Sequence, residues 1–186
     1  MKDMEKKDLI ELLNKCWMTH DAMWFYHSVQ AFGIHRTNQT NKAAIQSLAP
    51  IEVNRIKNYL GFEKEPINTF AAFKKFFAGA YELCIPEFMN ARMSYPRENV
   101  MHWAFKPGEC FAYKGMQRIG VIGEYECGVI HRLACWIESL GIQYDVRPKV
   151  KRCLMLDHGT CSGDFILYFE HAGERIPRPA LAGLRG

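Results

Sequence analysis

No stretch of this chain reaches the roughly 18 consecutive apolar residues that a membrane-spanning helix needs. Its opening, MKDMEKKDLIELL, is too charged for a secretory signal. The sequence therefore predicts a cytoplasmic protein without a membrane partner. A block of positive charge is missing too: 24 Lys and Arg stand against 20 Asp and Glu, a net +4. Nothing in that balance tracks phosphates, so nucleic acid is not an expected partner. Gly-x-Ser-x-Gly, His-Glu-x-x-His and Cys-x-x-Cys are all absent, which removes the local signatures of several hydrolases, zinc proteases and redox sites. The glycines at 115, 120 and 123 lack the Lys and Ser/Thr of a phosphate loop. No internal repeat and no second domain is visible.

What is present is a chain of 186 residues, 48% apolar, long enough for one well-filled core. Residues 1–170 read as a single domain, and 171–186, rich in Pro, Gly and Arg, as a mobile or extended tail. Seven cysteines in a reducing compartment are expected as thiols, metal ligands or small buried residues, and an odd number leaves one unpaired in any disulfide scheme.

The first half is helical in period. Leu9, Leu12, Leu13 and Cys16 predict a short amphipathic helix, with Asp3 or Asp8 near its start. Thr19 is placed to cap a second helix ending at Gly33, with Met23, Trp24, Phe25, Val29 and Phe32 all round its axis, the pattern of a buried helix. Residues 37–48 read as a third helix, and Pro50 suits the first turn of a fourth that Gly61 stops. Asn68 or Thr69 caps a fifth, whose Phe70, Phe73, Phe77, Tyr81 and Cys84 form a core stripe.

From Glu87 the period changes to alternation. EFMNARMSY, VMHWAF and FAYKGM predict a three-stranded meander, with Gly108 in the second turn. A four-residue turn there sets Cys110 opposite Phe105 and His102 opposite Tyr113. A central helix follows over 123–140, with Gly141 at its C-cap. Ile122, Tyr125, Val129, Leu133, Trp136, Ile137 and Leu140 face the core, while Glu124, Cys127, His131, Cys135 and Glu138 face away. Two further strands, 144–156 and 164–170, flank the loop DHGT as a hairpin. If Leu156 pairs with Cys161, Val150 meets Leu167, Pro148 meets Phe169 and Arg147 meets Glu170. The expected fold is α+β: N-terminal helices, an antiparallel sheet of about five strands and a long helix between the meander and the hairpin.

The chemistry-bearing residues fall into three groups. On the central helix, His131 shares a face with Cys127 and with Cys135, and either pair suits Zn or Fe with help from Cys153, His158 or Cys161. All three helix residues cannot join one ion, because Cys127 and Cys135 lie about 12 Å apart along the axis. In the hairpin, Cys153 and Cys161 fall on opposite faces unless a bulge, for which Gly163 is a candidate, brings them together. Arg147, Lys149 and Lys151 alternate on one face and suit a carboxylate ligand. In the second helix, Asp21 beside His20 can orient a general base, and His27 serves the other end of a pocket.

The segments WMTHDAMWFYH, NKAAIQSLAPIEVNRIKNYLG and RPKVKRC, followed by Cys161 and DFILYFE, resemble an uncharacterised prokaryotic family of cytosolic proteins with a helical front and a cysteine-bearing C-terminal hairpin. The likeness extends to about Glu170 and implies no chemistry. The layout is also similar to the L-2-amino-thiazoline-4-carboxylate hydrolase family, which is α+β and opens a cyclic amidine-like ring. That likeness implies a small carboxylate ligand.

Three functional expectations follow. One is binding or hydrolysis of a small molecule, with Cys127 or Cys153 as nucleophile or ligand, His131 or His20 as base and Lys149 or Lys151 as carboxylate partner. Another is a homodimer that meets through the thiol-bearing face of the central helix, without catalysis. The last is a structural or sensory Zn or Fe protein.

Overall fold

A computed structural model of the chain describes residues 5–170; the tail at 171–186 lies outside the described residues. Helix α1 runs Lys6–Tyr59 and changes direction at Gly33, whose φ of 74° and ψ of 166° are open to a residue without Cβ. The four predicted front helices are therefore one broken helix. Thr19 does not start a new element, because its hydroxyl donates to Lys15 O, 2.8 Å away and one turn back. Pro50 sits inside the second half.

The front half, residues 6–32, is not buried all round. Ile10, Asn14, Met18, Phe25 and Val29 turn inward, while Trp24 is 67% and Phe32 63% exposed. One wall of this helix is left exposed among the described residues. Helix α2, Phe70–Cys84, is capped as expected: Thr69 accepts from Ala72 N at 3.2 Å. Its Phe73, Phe76, Phe77 and Ala80 are almost fully buried, and Phe77 meets Trp136 of the central helix edge-on.

The meander has two strands, β1 (Ala91–Ser94) and β2 (Val100–Phe105), paired Ala91 to Phe105 through Ser94 to His102. The third predicted strand is a helix, α3 (Phe111–Arg118). Ala112 and Met116, four apart, are its buried residues, and so short a segment fits a period of two or of 3.6. His102 consequently faces Ser94 and Asp164, and its Nδ1 lies 2.7 Å from Asp164 Oδ1.

The central helix α4, Gly128–Ser139, starts five residues later than expected because Glu126 is drawn into an antiparallel bridge with Arg152. Leu133, Trp136 and Ile137 fill its core side, and Gly141 takes the left-handed cap with φ 75°. The C-terminal hairpin is shorter than predicted. Strand β3 is Gln143–Arg147, residues Leu154–His158 form a helical turn α5, and β4 is Cys161–Tyr168. Val146 pairs with Phe165 and Tyr144 with Leu167, six residues off the expected register but of the same parity, so the same faces stay buried. The sheet has four antiparallel strands in the order β1-β2-β4-β3, not five.

Candidate functional site

Both halves of α1, the end of α2, strands β1 and β2, α3 and α4 enclose a cavity of about 260 Å³. The bend at Gly33 creates it, since Met18, Ala22 and Phe25 from one half and Asn41, Ile45 and Leu48 from the other line the same space. Three of the four tryptophans, Trp17, Trp103 and Trp136, contribute to its wall. Gly115 of α3 faces it with nothing within 4 Å of where a Cβ would stand.

The polar groups of this wall are few and ordered. Arg132 of α4 is held by Glu52: Nε donates to Oε2 at 3.1 Å, and a terminal nitrogen reaches Oε1. Trp136 Nε1 donates to the same carboxylate at 2.9 Å. The ring of Trp17 covers the guanidinium, 4.4 Å from its carbon to the centroid. Arg132 is thus already neutralised. Asp21 and Arg92 also line the cavity, and neither forms an ion pair among the described residues. Cys84 is the cavity's one thiol; burial, with a smaller effect from Glu52, pushes it up to about 11, which makes it a poor nucleophile.

The predicted site residues divide differently from their sequence grouping. Asp21 lines the cavity, but His20 and His27 do not. His20 lies on the outer wall and accepts from Trp24 Nε1 at 3.2 Å, and His27 rests edge-on against Tyr26 with centroids 5.0 Å apart. On α4 the imidazole of His131 meets Cys135, with Nε2 3.6 Å from Sγ, and burial lowers its pKa. Cys135 is 1% exposed, whereas His131 and Glu138 on the same helix face are half-buried. Arg147, Lys149 and Lys151 are exposed and do not line the cavity. His158 ends α5 on the surface.

A second grouping joins four cysteines. Cys110 precedes α3, Cys127 precedes α4, Cys153 precedes α5 and Cys161 opens β4. Every pair among the four interacts electrostatically. Burial pushes Cys127 and Cys161 up to about 12 and raises Cys110. Cys153 and Cys161 are not paired across a hairpin, because the helical turn α5 lies between them. Gly163 instead serves close approach: a Cβ there would stand 2.5 Å from both the Trp103 ring and Arg147 O. Among the described residues, no group of three or more His, Cys, Asp or Glu stands ready to hold a metal ion.

Sequence reasoning missed Arg132 and Glu52, which carry no local signature, since they pair across 80 positions. Cys110, expected opposite Phe105 in the meander, instead precedes α3.

No curated protein and no solved structure matches the chain. The front of the chain, residues 2–90, which holds α1 and α2 and stops at the first strand, matches a family of unknown function (DUF6125).

Proposed function

We propose that the protein binds a small, largely apolar molecule in the cavity between the two halves of α1, α4 and the sheet. The observation that carries this reading is an apolar space of about 260 Å³ inside a single chain, walled by three tryptophans, with a small number of fixed polar groups. Arg92 suits an acidic end of such a ligand, since it reaches the wall without an ion-pair partner among the described residues. Binding is favoured over hydrolysis because among the described residues no His lines the space and the one thiol there is held protonated.

The test uses tryptophan emission. A series of small aromatic and aliphatic carboxylic acids and their neutral amides is titrated into the full chain. Saturable changes with at least one member, stronger for the acid and weakened at least tenfold in Gly115→Leu, are expected. Gly115 is the place to block the space because a side chain there enters it without striking the fold. Absence of any saturable change, or unchanged affinity in Gly115→Leu, would reject the reading.

The exposed wall of residues 6–32 supports a second reading, self-association. Leu13, Trp24 and Phe32 are 59%, 67% and 63% exposed on one helix, an apolar surface of the kind that marks contact sites. A concentration-dependent dimer in sedimentation, lost in Trp24→Glu, is expected. A monomer at every accessible concentration argues against it.

A further inference from the structure

Strand alternation turns Met93, Trp103 and Gly163 to one side of the sheet and leaves Ser94, His102 and Asp164 on the other. The register sets these last three side by side on adjacent strands: Ser94 of β1 opposite His102 of β2, and His102 opposite Asp164 of β4. His102 Nδ1 donates to Asp164 Oδ1 at 2.7 Å, and the two side chains are 36% and 35% exposed. An ionised carboxylate only accepts, so Nδ1 carries the proton and Nε2 of the neutral ring keeps its lone pair. The two nitrogens lie on opposite sides of the ring. With Nδ1 turned to β4, Nε2 is turned to the β1 side, where Ser94 is exposed on the edge strand. Neither Nε2 nor the Ser94 hydroxyl makes another hydrogen bond among the described residues.

We propose that Ser94, His102 and Asp164 form a nucleophilic site for small acyl esters, separate from the cavity, whose walls include Met93 and Trp103 of the opposite face. Residues directly opposite across two strands have Cβ atoms about 5 Å apart, near enough for a serine hydroxyl to meet its neighbour's imidazole. The two do not hydrogen-bond in the resting chain, a looseness common before a substrate is bound. Ser94 Oγ attacks the ester carbonyl, its proton passes to His102 Nε2, and the bond to the leaving alcohol breaks as Nε2 hands that proton over. Water, deprotonated by Nε2, then releases the acid and restores Ser94. Asp164 is a positioning residue that fixes the tautomer and the ring. Val100 and Ile166 on one side of the row and Ala104 on the other give the acyl chain apolar neighbours on the same face. The competing account is an ordinary polar ladder on a solvated sheet face.

The experiment treats the full chain with p-nitrophenyl acetate and, separately, with diisopropyl fluorophosphate, in which an Oγ–P bond forms, the P–F bond breaks and fluoride leaves. Expected are a nitrophenol burst of one equivalent per chain and a single phosphoryl adduct, placed on Ser94 by peptide mass mapping, that abolishes the burst. His102→Gln should slow labelling roughly 100-fold, the ordinary worth of a general base. Asp164→Asn gives Nδ1 a donor in place of an acceptor and so reverses the tautomer; it should slow labelling and flatten its rise with pH while the unfolding midpoint stays near that of the wild type. The wild-type adduct is read without any variant, so a variant that fails to fold leaves the test intact. No adduct, an adduct on a residue other than Ser94, or labelling of Ser94 at an unchanged rate in His102→Gln would overturn the proposal.

Discussion

The ring of Trp103 lies directly over Gly163 on the neighbouring strand, so close that a Cβ on Gly163 would stand 2.5 Å from two ring atoms and from Arg147 O. One of the three neighbours is backbone and cannot yield by changing rotamer. Gly163→Ala is expected to destabilise the fold by about 3 kcal/mol, the upper range for overpacking. The midpoint of urea unfolding measures it, and a loss below about 1 kcal/mol would show that the sheet relaxes around the methyl.

Asn38 should matter more than its position in a long helix suggests. It is 2% exposed, donates to Glu124 O at 2.8 Å and accepts from Glu126 N at 3.2 Å, which fixes the segment leading into α4. Asn38→Leu leaves both backbone groups without their partner, a cost of about 3 kcal/mol. Equilibrium denaturation checks this; near-neutral behaviour would mean that water replaces the side chain.

Glu52 serves Arg132 and Trp136 together, and both charged side chains of the pair are mostly covered, 17% and 23% exposed. Glu52→Ala is expected to cost about 2 kcal/mol, less than a fully buried pair because some solvent reaches it. Glu52→Gln should recover part of the loss by keeping the contact with Trp136. Equal losses in the two variants would place the cost in packing instead of hydrogen bonding.

His131 gives the stability a pH dependence of known sign. Burial lowers its pKa from the ordinary 6.5, so between the two values the unfolded chain holds more protons than the folded one. Stability therefore falls as pH drops through 6.5 and levels off below the folded value. Thermal unfolding followed from pH 8 downward should lose this slope in His131→Gln. An unchanged slope would assign it to other groups.

The fold class was legible from periodicity, and so were the caps at Thr69 and Gly141, because these are local signals. Elements whose length or pairing depends on distant residues were not. The two halves of α1 read as four helices because Thr19 and Pro50 are acceptable starts as well as acceptable interior residues, and only Gly33, with its positive φ, forces a break. The C-terminal register kept its parity but slid by six residues once LMLDH became a turn of helix. Of the candidate site, Asp21 and the thiols at 127, 153 and 161 were in view. The cavity was not, since Trp17, Gly115 and Arg132 meet only through tertiary packing.

The bend at Gly33 also sets a lever. Trp17 stands sixteen residues before it, which along a helix is an arm of ~24 Å, so a swing of about 5° carries the indole ~2 Å. That displacement is the breadth of a methyl group. The calibre of the cavity thus depends on the backbone angles of one residue far from its walls, and a few degrees of change there would widen or narrow the space without any lining residue being replaced.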